Sequence, residues 1–135
     1  MAKLTVEIVT PEKRILSVQA DEAIVPGANG LFGVRPGHTP FLSLMDAGTL
    51  TLKGEGGHTD IYFVAGGFVE VSNDKVLVLA DVAEPVSGID VEGARQRLIA
   101  SMDRLRGLSS DDARFAVEQA AVRRETARMA AAGPR

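Results

Sequence analysis

A β-sandwich of short antiparallel strands followed by a C-terminal α-helical hairpin is the fold this sequence predicts, on three observations. Up to about Ala80, short apolar or alternating runs are interrupted at close intervals by Gly, Pro and Asn, the punctuation of an all-β chain. Past residue 88 the apolar spacing lengthens from two residues to three and four. The charge changes at the same place: residues 1–89 carry 6 basic and 11 acidic side chains, residues 90–135 carry 9 and 7, and every basic residue after 89 is arginine. Two units are expected, a sandwich over 1–86 and a helical hairpin over 87–135.

Leu4, Val6 and Ile8 alternate with Thr5 and Glu7, which gives a first strand with one buried face. Residues 15–24 read as a second strand. The glycine-rich segment 26–39 reads as turns, and further strands are expected at 41–45, 49–53, 59–65, 68–71 and 75–80. Residues 84–88, Glu-Pro-Val-Ser-Gly, read as a connector. Beyond it Val91, Ala94, Leu98, Met102 and Leu105 share one helix face, with Asp90 as N-cap and Gly107 as the stop. Ser109, Ser110, Asp111 and Asp112 restart a second helix, expected from about 111 to 130 and ended by Gly133 and Pro134. Its apolar stripe, Ala113, Ala116, Val117, Ala120, Ala121 and Ala127, favours helix but offers little area to bury. A weakly held arm, able to detach, is the consequence.

Composition narrows the function classes. The 45% hydrophobic and 24% charged content is that of an ordinary globular chain, and the absence of cysteine excludes disulfides, thiolate chemistry and cysteine zinc clusters. No apolar run reaches the roughly 18 to 20 residues that span a bilayer, and the first residues lack the apolar core of a signal peptide. Direct membrane insertion is therefore not expected. The segment from Pro26 to Gly33 lacks the Lys-Ser or Lys-Thr of a phosphate loop and the G-x-G-x-x-G of a dinucleotide site, so its glycines read as turns. His38 and His58 stand in glycine-rich loops with no metal-ligand spacing, and no nucleophile elbow occurs. Aromatic content of 4% without tryptophan argues against a nucleic-acid surface. Arg123, Arg124 and Arg128 form a small basic cluster flanked by Glu118 and Glu125, which suits either a solvated face or docking to an acidic protein segment. No catalytic residue, metal or cofactor is expected.

Gly33, Pro36, Gly37, His38 and Pro40 make a Gly-x-x-Pro-Gly-His-x-Pro segment that resembles the hallmark of ATP synthase epsilon subunits. Similar landmarks follow in the family's order: Asp46-Ala47-Gly48, then Gly66-Gly67-Phe68-Val69-Glu70-Val71, then Val76-Leu77-Val78-Leu79-Ala80-Asp81. The resemblance covers nearly the whole chain. It implies a ten-stranded sandwich with a helical hairpin, and a non-catalytic rotor subunit of the F-type, proton-translocating ATP synthase, peripheral on the cytoplasmic side of the bacterial inner membrane. Its implied partners are the gamma subunit, the c-ring and, through the arm, the catalytic beta subunits. Carried over by position, Ala28, Asn29, Gly30, Leu31 and Phe32 would face the c-ring. Arg35, Pro36, Gly37, His38 and Thr39, with Asp81, Val82 and Ala83, would lie near gamma, and Arg123, Arg124 and Arg128 would meet acidic segments of beta and slow hydrolysis. Some members bind regulatory ATP through an Ile/Leu-Asp-x-x-Arg-Ala motif. Here Glu92 and Arg95 keep its charges, whereas Val91 and Gln96 depart from it. A β-sandwich ligand-binding module with dimerising helices, and a hydrolase, are the rival readings.

Overall fold

Residues 3–12 and 14–133 are described by a computed structural model. Along them run β1 (Leu4–Val9), β2 (Arg14–Ala20), β3 (Glu22–Gly27), β4 (Gly30–Val34), β5 (Phe41–Leu44), β6 (Gly48–Lys53), β7 (Thr59–Ala65), β8 (Phe68–Ser72), β9 (Lys75–Leu79), β10 (Val82–Pro85), α1 (Val91–Arg106) and α2 (Ala113–Ala132). The chain divides between Val86 and Ser87 into two units, strands in the first and helices in the second.

The strand unit is a sandwich of two five-stranded sheets, ordered β2-β1-β9-β8-β5 and β10-β7-β6-β3-β4. Alternation decides which side chains enter it. Leu4, Val6 and Ile8 of β1 are fully buried, and they meet Val25, Val34, Leu50, Val64, Val69, Val71, Val76 and Val78 in one core. The expected sandwich is observed, with one exception to antiparallel pairing: β1 runs parallel to β9, Thr5 opposite Lys75 through Val9 opposite Leu79.

Three expectations are corrected. Residues 15–24 are not one strand but β2 and β3, in different sheets, because Ala20 and Ala23 both point inward and an odd spacing cannot stay on one face of a strand. The chain turns at Asp21, whose N–H donates to the Lys53 carbonyl (2.7 Å) and whose carboxylate pairs with Lys3. The glycine-rich segment is more than turns, since it contains β4, paired with β3 through a two-residue loop, Ala28-Asn29. The supposed connector at 84–88 begins inside β10, where Pro85 ends an edge strand opposite Tyr62 and no further ladder bond is needed from its nitrogen.

In the helical unit the caps fall close to their expected positions. Asp90 Oδ1 accepts from the Gly93 N–H (3.0 Å) and Gly107 closes α1, while α2 starts slightly later than expected, with Asp112 Oδ1 accepting from the Arg114 N–H (2.9 Å). Only part of the alanine stripe on α2 packs: Ala121 is buried and Ala127 half-buried. Ala113, Ala116, Val117 and Ala120 are exposed, whereas Ala121, Glu125 and Arg128 are buried.

One glycine carries a steric requirement. Gly67 (φ 80°) begins the crossing into β8, and a Cβ there would lie 1.7 Å from the Leu79 carbonyl oxygen. Gly67→Ala should therefore destabilise the sandwich by about 3 kcal/mol, through strain and displaced backbone. Gly57→Ala, at a similar φ of 77° with open space around it, should cost only about 1 kcal/mol. Urea titration of the two variants checks the difference.

Candidate functional site

The first surface lies on the sandwich at the two edge strands on its β4–β5 side. The β3–β4 loop is held by the Ala28 N–H donating to the Leu44 carbonyl (2.9 Å) and by the Asp46 N–H donating to the Pro26 carbonyl (2.9 Å). Phe32 of β4 meets Phe41 of β5 edge-on, ring centroids 5.1 Å apart, so an aromatic pair closes the gap between the sheets there. Phe32 thus packs inward in large part. Leu31 on the other face of β4 is 70% exposed, as are Leu42 (64%) and Leu44 (68%) on β5, and β5 pairing sets Leu44 opposite the partly exposed Phe68. Leu42, Leu44 and Phe68 thus share the outer face of one sheet, and Leu31 stands on the edge strand of the other.

Beside it, Pro36 to His38 form a tight turn in which the His38 N–H donates to the Arg35 carbonyl (3.1 Å). Gly37 adopts φ 88° and donates its N–H to Asp74 Oδ1 (2.6 Å). Asp74 belongs to the Asn73-Asp74 turn between β8 and β9, both residues at positive φ, so one hairpin turn pins the other loop. The His38 ring places Nδ1 2.6 Å from the Thr39 carbonyl, and Arg35 Nε lies 3.3 Å from Glu22 Oε2. Asp81 is exposed and lines an open groove with Pro11 and Phe68, whereas Val82 is half-buried and Ala83 packs against the core. Among the sandwich residues carried over from the family, Leu31, Arg35 and Asp81 are exposed, whereas Ala83 packs against the core. Leu42, Leu44 and Phe68 were missed by sequence reasoning. For the two leucines the signal was the run Phe41-Leu42-Ser43-Leu44-Met45, apolar at both strand parities, which a one-sided strand does not need.

The second surface is the hairpin. Arg123 is exposed, but Arg124 and Arg128 both turn to Glu125, Arg124 Nε at 3.2 Å from Oε2 and Arg128 Nη1 at 2.7 Å from Oε1. Glu125 is only 1% exposed and also accepts from Arg97 Nε of α1 (3.2 Å). Arg104 Nε donates to Glu118 Oε2 across the same helix pair (2.9 Å). The three arginines of the expected cluster are therefore not one free basic face. Glu92 and Arg95 pair with each other one turn apart, so the Arg95 guanidinium already faces a carboxylate.

Residues 3–86 match the family model of the ATP synthase, Delta/Epsilon chain, beta-sandwich domain. The chain is 76% identical over 132 residues to the ATP synthase epsilon chain of Myxococcus xanthus, covering 98% of this chain and 96% of that one. The chain belongs to the ATP synthase epsilon family. The epsilon chain of Anaeromyxobacter dehalogenans is 48% identical over 130 residues, covering 96% and 98% of the two chains. Among solved structures, a chain of the Euglena gracilis mitochondrial ATP synthase OSCP/F1/c-ring assembly superposes with a TM-score of 0.83 at 22% identity, covering 97% of this chain and 82% of its own. A chain of the Tetrahymena thermophila central stalk and c-ring assembly does so at 0.63 and 15%, covering 95% and 97%. At those identities the likeness is one of fold. As an epsilon chain the protein is a non-catalytic subunit of ATP synthase. Among the described residues no helix is long and apolar enough to cross a membrane, and no group of side chains is arranged to hold a metal ion.

Two carboxyls of the hairpin are held below the usual carboxylate range. Asp112 is lowered to about 2, first by the Arg114 guanidinium and then by the Arg114 N–H, and Glu118 is lowered chiefly by the Arg104 guanidinium. A depressed carboxyl stabilises the fold above its unfolded pKa and loses that contribution as pH falls through the folded value. The helical circular dichroism should therefore decay between about pH 4 and pH 2, and Asp112→Asn should flatten that decay.

Proposed function

We propose that this chain is the central-stalk rotor subunit that joins gamma to the c-ring, so that ion flow through the membrane sector drives ATP synthesis in the catalytic head. The exposure of the apolar side chains Leu31, Leu42, Leu44 and Phe68 is the observation that carries the reading. Leucines at two-thirds exposure on an otherwise alternating sandwich are unfavourable in water and favour a partner's surface. Family position supports Ala28, Asn29, Gly30 and Leu31 on the c-ring side. The gamma side extends from Arg35 to Thr39 and Asp81 and takes in Leu42, Leu44 and Phe68, which neighbour them. The protein then sits peripherally at the bacterial inner membrane through these partners.

The arm is proposed as a brake that extends toward acidic segments of the beta subunits and slows ATP hydrolysis. Its basic side chains include Arg123, Arg124 and Arg128. Regulatory ATP is not part of the proposal. Glu92 opposes phosphate beside Arg95, and Val91 and Gln96 replace two residues of the family's motif.

Leu42→Glu with Leu44→Glu should leave the isolated protein folded and weaken co-purification with gamma by more than about tenfold, since buried anchors dominate interface energy. Leu31→Asp should reduce ATP-driven ion pumping by the reconstituted enzyme. Native binding and pumping in these variants would rule out the surface. Removal of residues 88–135 should raise hydrolysis by the assembled enzyme, and an unchanged rate would exclude the brake.

A further inference from the structure

The segment from Arg35 to Pro40 carries the chain out of β4 in one sheet and into β5 in the other. A side chain from each sheet meets it. Glu22 of β3, the neighbour of β4, accepts from Arg35 Nε (3.3 Å), and Asp74, in the turn between β8 and β9, accepts the Gly37 N–H at Oδ1 (2.6 Å). The second contact fixes backbone that packing leaves alone. Gly37 is exposed at φ 88°, and no heavy atom beyond its two chain neighbours lies within 4 Å of the place a Cβ would take.

Asp74 is not the residue that suits its own turn best. Asn73 (φ 50°) and Asp74 (φ 59°) are the two central residues of the hairpin that closes on the Ser72–Lys75 pair, and both have the positive φ of a type I′ turn. Asparagine followed by glycine is the preferred sequence there, because glycine adopts positive φ with no Cβ to oppose it. An aspartate at the second position strains the turn, and its carboxylate is what it offers in return. The Asp74 backbone is meanwhile fixed by β1, since the Thr5 N–H donates to its carbonyl (2.9 Å). The carboxylate thus projects from the place where β8, β9 and β1 meet to a loop 37 residues away in sequence.

We propose that Asp74 is a positioning residue for the segment Arg35 to Thr39, a role that rests on the reading of that segment as a gamma contact: its carboxylate holds the Pro36 to His38 turn in the shape that gamma meets. The β8–β9 turn is left less stable than glycine would make it, and the loop beside it is ordered before association rather than during it. Ordering delayed until binding is subtracted from affinity and makes fewer encounters productive. Arg35 stays tied to Glu22, and the His38 N–H to the Arg35 carbonyl (3.1 Å), so loss of the Asp74 carboxylate releases the middle of the segment and leaves its start in place.

The test compares the full-length native chain with Asp74→Gly and Asp74→Asn. Asp74→Gly should leave the urea midpoint no lower than that of the native chain, because relief at positive φ offsets one lost exposed hydrogen bond. Amide exchange at Gly37, followed by NMR, should become about tenfold faster, and affinity for purified gamma should fall about tenfold through slower association. Asp74→Asn, which keeps an acceptor oxygen without the charge, should lie between the two in both readouts. Unchanged exchange at Gly37 in Asp74→Gly overturns the proposal. So does native association with gamma by that variant when Arg35→Ala weakens binding, and so does a loss of affinity that only follows a lowered urea midpoint. If Arg35→Ala and His38→Ala both bind gamma as the native chain does, the gamma reading of the segment fails, and exchange at Gly37 alone decides whether Asp74 positions it.

Discussion

Insertion of the first strand between β2 and β9 is the constraint on which the sandwich depends. Without β1, the strand β2 has no neighbour in its sheet, and the core loses Leu4, Val6 and Ile8, three of its fully buried side chains. The parallel pairing with β9 closes a loop of more than sixty residues, from Val9 to Lys75, whose closure entropy must be offset by contacts formed together. Everything between those strands is thereby fixed in place, including the Pro36 to His38 turn, which hangs on Asp74 at the start of β9.

Edge position explains where the exposed apolar side chains sit. Each sheet must end somewhere, and on one side the ends are β4 and β5. Phe32 and Phe41 fill the gap between the sheets at that side, which leaves the outward residues Leu31, Leu42 and Leu44 with no further layer to pack against. An edge that is apolar outward is normally blunted with charge to prevent association. Here only Glu70 lies in register beside Leu42, so the edge retains its capacity to bind.

The hairpin is built on a different principle. Where the sandwich excludes water from branched aliphatic side chains, the helix seam combines small residues with oriented Arg–Glu pairs. Aliphatic burial is non-directional and tolerates little rearrangement once packed. Ion pairs are directional and weaken with salt.

Much of this was legible in the residues alone. Alternation in Leu4 to Val9, the caps Asp90 and Gly107, and the Gly33 to Pro40 segment determined the strand unit, the helical unit and the family, because local periodicity and turn chemistry act over a few residues. The phase break between Ala20 and Ala23 was not legible, since only the burial of both alanines shows that 15–24 divides between two sheets. Other features belonged to the tertiary structure. The parallel β1–β9 pair joins residues with no local signal, and the short edge strands β4 and β10 are specified by the neighbours they pair with rather than by propensity. The face of α2 went the same way. Alanine spacing located Ala121 on the buried face but not Glu125 and Arg128, which join it because Glu125 meets Arg97 of α1.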